Sequence, residues 1–120
     1  MAKNDLQIPQ EWYEEVPKIF ELNVIDTVHE LADLLLSKHK DYGPKNISES
    51  PGGPINGLRV RMHDKLARIN NLVDSQTDPQ HESLEDSFKD MANYAIIGLM
   101  VLREQWEGGK NENLWSVQGK

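Results

Sequence analysis

The chain has 120 residues, a formal net charge of −7 and no cysteine. That length supports one domain with a single modest core, for which association with further copies is a natural way to cover more apolar surface. The acidic balance excludes general nucleic-acid binding, which needs a basic surface, and the lack of cysteine leaves only oxygen or imidazole to hold any metal.

Residues 1–22 mix acids, aromatics and prolines and read as an N-terminal arm. A short helix opened by Pro9 is expected there, with Trp12, Val16, Ile19 and Phe20 as packing residues. The first amino acids, Met1-Ala2-Lys3-Asn4-Asp5, lack an apolar signal core, and no apolar run is long enough to span a bilayer; a soluble cytoplasmic protein without membrane contact is the expectation.

The domain proper is placed at residues 23–107. Its first main helix is expected from Val24 to Lys40, with a wide apolar arc (Val24, Val28, Leu31, Leu35) that suits packing against more than one neighbour. Opposite runs a polar stripe of Asp26, Glu30, Asp33 and Ser37, either a solvated strip or a line of helix-borne ligands. Asp41-Tyr42-Gly43-Pro44 ends this helix, since glycine supplies a C-cap conformation and proline forbids continuation. The connection from Asp41 to Gly57 is longer than helix connections usually are, and reads as a functional loop or a mobile lid. Its Gly-Gly pair lacks the lysine and hydroxyl spacing of a phosphate loop.

A second helix is expected from about Leu58 to Val73, with Leu58, Met62, Leu66, Ile69 and Val73 as its core stripe. Arg61, Asp64, Lys65, Arg68 and Asn71 lie on its flank. The third and central helix runs from Glu82 to Leu102. Leu84, Phe88, Met91, Ala95, Leu99, Leu102 and Trp106 share one face and read as core. The opposite face carries Glu82, Asp86, Asp90 and Asn93 and continues into Ile97, Met100 and Val101, so beyond Ala92 the helix is apolar nearly all round. Carboxylates on such a face point toward protein, where they need a counter-charge or a metal. Ser83-x-x-Asp86 also fits a capping box, in which case Asp86 starts the helix; capping does not account for Asp90, a turn further in. Residues 108–120, with Leu114 and Trp115, read as a C-terminal tail.

Facing carboxylates with lysines and arginines between them are the parts of a site for magnesium and phosphates. Lys38-x-x-Asp41-Tyr42-Gly43, Arg61-x-x-Asp64-Lys65-x-x-Arg68-x-x-Asn71-Leu72 and Glu82-Ser83-x-x-Asp86-x-x-x-Asp90-x-Ala92-Asn93-Tyr94 together resemble the family called nucleotide modification associated domain 1, small bacterial and phage proteins. The resemblance covers about residues 24–103. That family is similar in helical layout to MazG-like nucleoside triphosphate pyrophosphohydrolases. The resemblance therefore implies an all-α, MazG-like helical bundle completed by oligomerisation as a homodimer or homotetramer. It also implies a Mg2+-dependent hydrolase that converts a nucleoside triphosphate to monophosphate and pyrophosphate in the cytoplasm, the host's if the chain is phage-encoded. The MazG-like signature has Glu-x-x-Glu on one helix and Glu-x-x-Asp on a later one; the nearest counterparts are Glu30-x-x-Asp33 and Asp86-x-x-x-Asp90, and the middle helix offers only Asp64.

On that implied mechanism, Asp86, Asp90 and one or both of Asp64 and Glu30 hold magnesium, and Glu82 orients the attacking water. Lys38, Lys65 and Arg68 bind phosphates. Tyr42, Asn46, Asn93 and Tyr94 are candidates for base and sugar contacts, and Asp41 can accept from an exocyclic amine. Tyr94 and Asn93 can equally tie neighbouring helices together, and Tyr42 can plug the helix end. Two other functions compete with hydrolysis. One is a binding protein of the same fold that sequesters a signalling nucleotide against host defence; the other is a protein-docking module.

Overall fold

In a computed structural model of the protein, residues 9–107 are described. They are all-α: helices α1 (Gln10–Glu14), α2 (Lys18–Tyr42), α3 (Lys45–Ser48), α4 (Pro54–Ser75) and α5 (Leu84–Leu102), with no strand among the described residues. The expected tail at 108–120 and the first eight residues lie outside them. No helix among the described residues is long and apolar enough to cross a membrane. The chain divides into two units, one ending at Ser37 and the other starting at Lys38.

The first unit comprises α1 and most of α2. Pro9 opens α1, its carbonyl accepting from the Trp12 N–H at 3.1 Å, and Pro17 opens α2 in the same way through Glu21 at 3.2 Å. The pre-set φ of proline makes it a good helix opener. This is why α2 starts at Lys18 and not at Val24 as the apolar pattern suggested. Of the residues expected to pack here, Trp12, Val16, Ile19, Phe20, Val24 and Val28 are exposed in the single chain, Leu31 and Leu35 are half-buried, and α2 contains no buried residue.

The second unit is an antiparallel hairpin of α4 and α5 with α3 closing one end. The pairs Leu58–Gly98 and Arg68–Ser87 run in opposite directions along the two helices, which fixes the antiparallel sense. Ile47, Leu58, Ile69, Ile97 and Val101 form the buried core. α2 stops at Gly43, whose φ of +70° and bond to the His39 carbonyl at 2.8 Å make the left-handed stop expected from its sequence. Much of the 41–57 connection is helical, with α3 at Lys45–Ser48 and α4 starting at Pro54. Ile47 is buried, the Ser50 hydroxyl donates to the Asn46 carbonyl at 2.8 Å, and Arg61 donates to that same carbonyl at 3.0 Å and to Ser50 Oγ at 3.2 Å. α4 then begins at Pro54, four residues before the expected start, because proline sits at its first turn.

Two expected core stripes are corrected. On α5, Phe88 is 57% and Leu99 49% exposed, while Ser87, Asn93, Ile97 and Val101 are buried. The helix thus turns inward the face expected to carry its polar residues. Beyond Ala92 apolar residues surround the helix, so periodicity cannot choose a face. The face that turns inward carries Ser87, which is fully buried and accepts from Arg68 of α4. On α4, Leu58 and Ile69 are buried as expected, but Leu66 and Val73 are exposed. Trp106 lies beyond the helix: α5 ends at Leu102, Glu104 adopts a left-handed φ of 57°, and the Trp106 indole N–H donates to the Pro44 carbonyl at 3.0 Å.

Candidate functional site

The inward face of α5 carries a network of ionised side chains. Asp90 Oδ1 receives Lys38 Nζ at 2.8 Å, and its Oδ2 receives Lys65 Nζ at 3.0 Å. Lys65 also bonds both oxygens of Glu82, at 2.8 and 3.0 Å. The Ser87 hydroxyl donates to Glu82 Oε2 at 2.7 Å, and Arg68 donates to the Glu82 carbonyl and to Ser87 Oγ. Lys65 and Arg68 stand one turn apart on α4, Glu82 sits just before the Ser83 N-cap of α5, and Lys38 comes from the end of α2, so the network joins three helices. Arg68 meets no carboxylate among the described residues.

Burial pushes the carboxyl of Asp90 up, but the hydrogen bonds and charges of Lys38 and Lys65 outweigh it and hold Asp90 below its ordinary 3.8. Glu82 behaves alike: burial pushes it up, while Lys65 and Ser87 bring it below 4.5. The hydrogen bond to Asp90 raises Lys38, with smaller help from its neighbours Tyr94 and Tyr42. Lys65 is raised above 10.5 because its bonds to Glu82 and Asp90 overcome its burial. A lowered carboxyl stabilises the fold above its unfolded pKa and loses that contribution as pH falls through the folded value; a raised lysine does so below its unfolded pKa and loses it as pH rises. The urea midpoint is accordingly expected to be level between about pH 5 and about pH 10 as far as this network contributes, and to fall on both sides. A midpoint that climbs on acidification below neutral pH would sink this account.

The structure brings together five of the residues expected to act: Lys38, Lys65, Arg68, Glu82 and Asp90. Tyr94 is half-buried and Tyr42 exposed, both near enough to Lys38 to act on its charge. Asp86 is placed elsewhere. Its backbone N–H donates to Ser83 Oγ at 3.0 Å and its carboxylate accepts from the Ser83 N–H at 3.4 Å, a complete capping box. Asp64, Asp41 and Asn46 are exposed, as is Glu30 on the part of α2 that belongs to the first unit. Among the described residues no three His, Asp or Glu side chains stand together as a metal ion needs. An ammonium, Lys65, occupies the position between Glu82 and Asp90 that a bridging ion would take. Arranged this way, the carboxylates do not fit a divalent cation.

Sequence reasoning missed two features. Ser87, fully buried, links Glu82 to Arg68; a serine three residues before Asp90 on the acidic face was the available signal. His39 Nε2 lies 3.1 Å from Glu107, with its ring edge-on to Trp106 at 5.0 Å, and nothing in the local sequence marks that pairing.

The model of one protein family, described as nucleotide modification associated domain 1, matches residues 38–102, a span that starts at Lys38 and includes every member of the network. The chain belongs to this family. No curated protein and no solved structure matches it.

Proposed function

We propose that this member of the nucleotide modification associated domain 1 family is a nucleotide-binding protein that holds its ligand's phosphates on Lys38, Lys65 and Arg68 and retains it uncleaved. One observation carries the reading: Lys65 lies between Glu82 and Asp90, within 3.0 Å of each, so the network already contains its own cation. Three positive groups against two carboxylates leave one positive charge in excess, suited to an anion. Lys38 uses one N–H on Asp90, which leaves two for a phosphate, and its side chain is nearly half exposed. Arg68, which meets no carboxylate among the described residues, offers the fork geometry that phosphate oxygens accept.

The alternative expected from the sequence, magnesium-dependent pyrophosphohydrolysis, requires Lys65 to withdraw and carboxylates to gather. Incubation of ribo- and deoxyribonucleoside triphosphates and cyclic signalling nucleotides with the protein, with and without magnesium, separates the two. The expected outcome is one nucleotide depleted from the free pool without magnesium and recovered intact on heating. Monophosphate and pyrophosphate formed only with magnesium, and lost in Asp90→Ala, would replace binding by hydrolysis.

Self-association belongs to the same proposal. Phe88, Leu99 and Leu66 lie exposed on α4 and α5, and apolar helix faces of this kind are covered in helical assemblies by a further copy. Sedimentation at a multiple of the 13.7 kDa chain mass supports it, and a 13.7 kDa species overturns it.

A further inference from the structure

Past α5 the chain turns back on itself. The Gln105 N–H donates to the Met100 carbonyl at 2.8 Å and the Glu104 N–H to the Val101 carbonyl at 3.1 Å, the bond pair of a Schellman motif. Glycine usually takes the left-handed position of that motif. Here Glu104 takes it, with φ 57°, and a residue with a Cβ in that conformation carries strain that its surroundings must offset. The turn delivers Trp106 to the end of α2. The indole N–H donates to the Pro44 carbonyl at 3.0 Å, the ring meets the His39 ring edge-on at 5.0 Å, and Glu107 lies 3.1 Å from His39 Nε2. The imidazole is seated there, its Nδ1 shut away from water.

Lys38 precedes His39 in the same turn. Both are half-buried while Ser37 and Lys40 on either side are exposed, so one edge of α2 carries both. No fully buried residue anchors that helix, and a lysine on a flexible four-carbon stem keeps its place only if the backbone beneath it is held. We propose that Trp106 is a positioning residue, which by holding His39 and Pro44 keeps the Lys38 ammonium on Asp90, where it joins Lys65 and Arg68 in receiving an anion. This rests on the nucleotide-binding reading above, and adds to it a residue that acts through Lys38 from beyond the family's matched span of 38–102.

The test follows the Asp90 carboxyl by carbon NMR titration, and tripolyphosphate affinity by calorimetry, in the unmutated protein, Trp106→Ala, Lys38→Met and the double variant. Lys38 is one of the two cations that hold Asp90 below 3.8. Trp106→Ala should therefore raise the Asp90 titration, as Lys38→Met does, and the double variant should rise no further than Lys38→Met. Lys38→Met is expected to weaken tripolyphosphate binding by about 10-fold, the worth of a charge-assisted hydrogen bond, and Trp106→Ala by about 3- to 10-fold. With Lys38 already gone, Trp106→Ala should change the affinity by less than about twofold. A residue that only stabilised the fold would leave the Asp90 titration unmoved, or would weaken binding by the same factor with and without Lys38; either result overturns the proposal. Should Trp106→Ala not fold, Trp106→Phe, which keeps a ring against His39 and loses the N–H to Pro44, is read by the same two criteria. If the unmutated protein binds no tripolyphosphate, the nucleotide-binding reading falls, and the Asp90 titration alone decides whether Trp106 places Lys38.

Discussion

Lys65→Met is expected to lower the stability of the fold by about 2–3 kcal/mol at neutral pH, less than for a fully buried pair because the three side chains keep some contact with water. The variant preserves most of the buried stem and removes only the ammonium. Glu82 then keeps the Ser87 hydroxyl but no cation, and Asp90 keeps Lys38 alone. Two carboxylates, of which only Asp90 keeps a cation on its oxygens, then stand on either side of the space Lys65 filled. For a domain of this size the loss corresponds to a Tm lower by about 10–20 °C. The pH dependence is the sharper part of the expectation. Without Lys65, burial and the neighbouring charge of Asp90 dominate at Glu82 and raise its carboxyl above the ordinary value. A carboxyl raised in the folded state binds its proton more readily there than in the unfolded chain, so its destabilisation is greatest above the folded pKa and fades as pH falls through it. The deficit of Lys65→Met should therefore shrink between about pH 7 and about pH 4, a range in which the unmutated protein begins to lose stability. Parallel urea-midpoint curves for the two proteins over that range would show that Lys65 does not neutralise this pair. The same variant should lose nucleotide binding, since it removes a phosphate ligand and leaves the network with two carboxylates against Lys38 and Arg68.

The role of Lys65 was legible in part from its surroundings in the sequence. A net basic flank on α4 and acids on one face of α5 are complementary, and their meeting follows from the need of half-buried carboxylates for counter-charge. The Ser83-x-x-Asp86 capping box was equally legible, because both partners lie within four residues. The division of labour between Asp86 and Asp90 follows from it: the first-turn acid closes the helix start, and the acid one turn on points inward to the lysines. What could not be read was the face of α5 that turns inward. Between Ala92 and Leu102 apolar side chains surround the helix, and both orientations bury a comparable stripe. The face that packs carries Ser87, which meets Arg68 of α4, a long-range fit that a local pattern does not contain. Asn93 was visible as a polar residue on an otherwise apolar stretch, but whether it tied helices together or faced a ligand depended on partners that only the folded chain specifies.

The same long-range fit makes Gly57 the glycine least able to change. A Cβ there would lie 2.5 Å from Ser50 Cβ, closer still to Ser50 Oγ, and 2.9 Å from Arg61 Nη1. None of these atoms can retreat cheaply. Ser50 is buried, with its hydroxyl bonded to the Asn46 carbonyl, and Arg61 is held by that carbonyl and by Ser50. Gly57→Ala must therefore push the α3 segment off α4. The helical φ of Gly57 gives alanine a small gain in propensity of about 1 kcal/mol, and overpacking at a closed contact costs about 1–3 kcal/mol before the Arg61 bonds are lost. The net expectation is destabilisation by about 2 kcal/mol, together with faster proteolysis between Lys45 and Gly53, because Ile47 is levered out of the core. Ser50→Gly in the same chain removes the two closest of the colliding atoms and leaves only the Arg61 guanidinium, so the double variant should recover much of the loss, a coupling of at least about 1 kcal/mol. If Gly57→Ala alone proves as stable as the unmutated protein in urea, the α3–α4 junction is looser than its hydrogen bonds describe. The 41–57 connection would then regain the freedom of a lid, and Lys38, one turn before its start, would be free to leave Asp90 when ligand arrives.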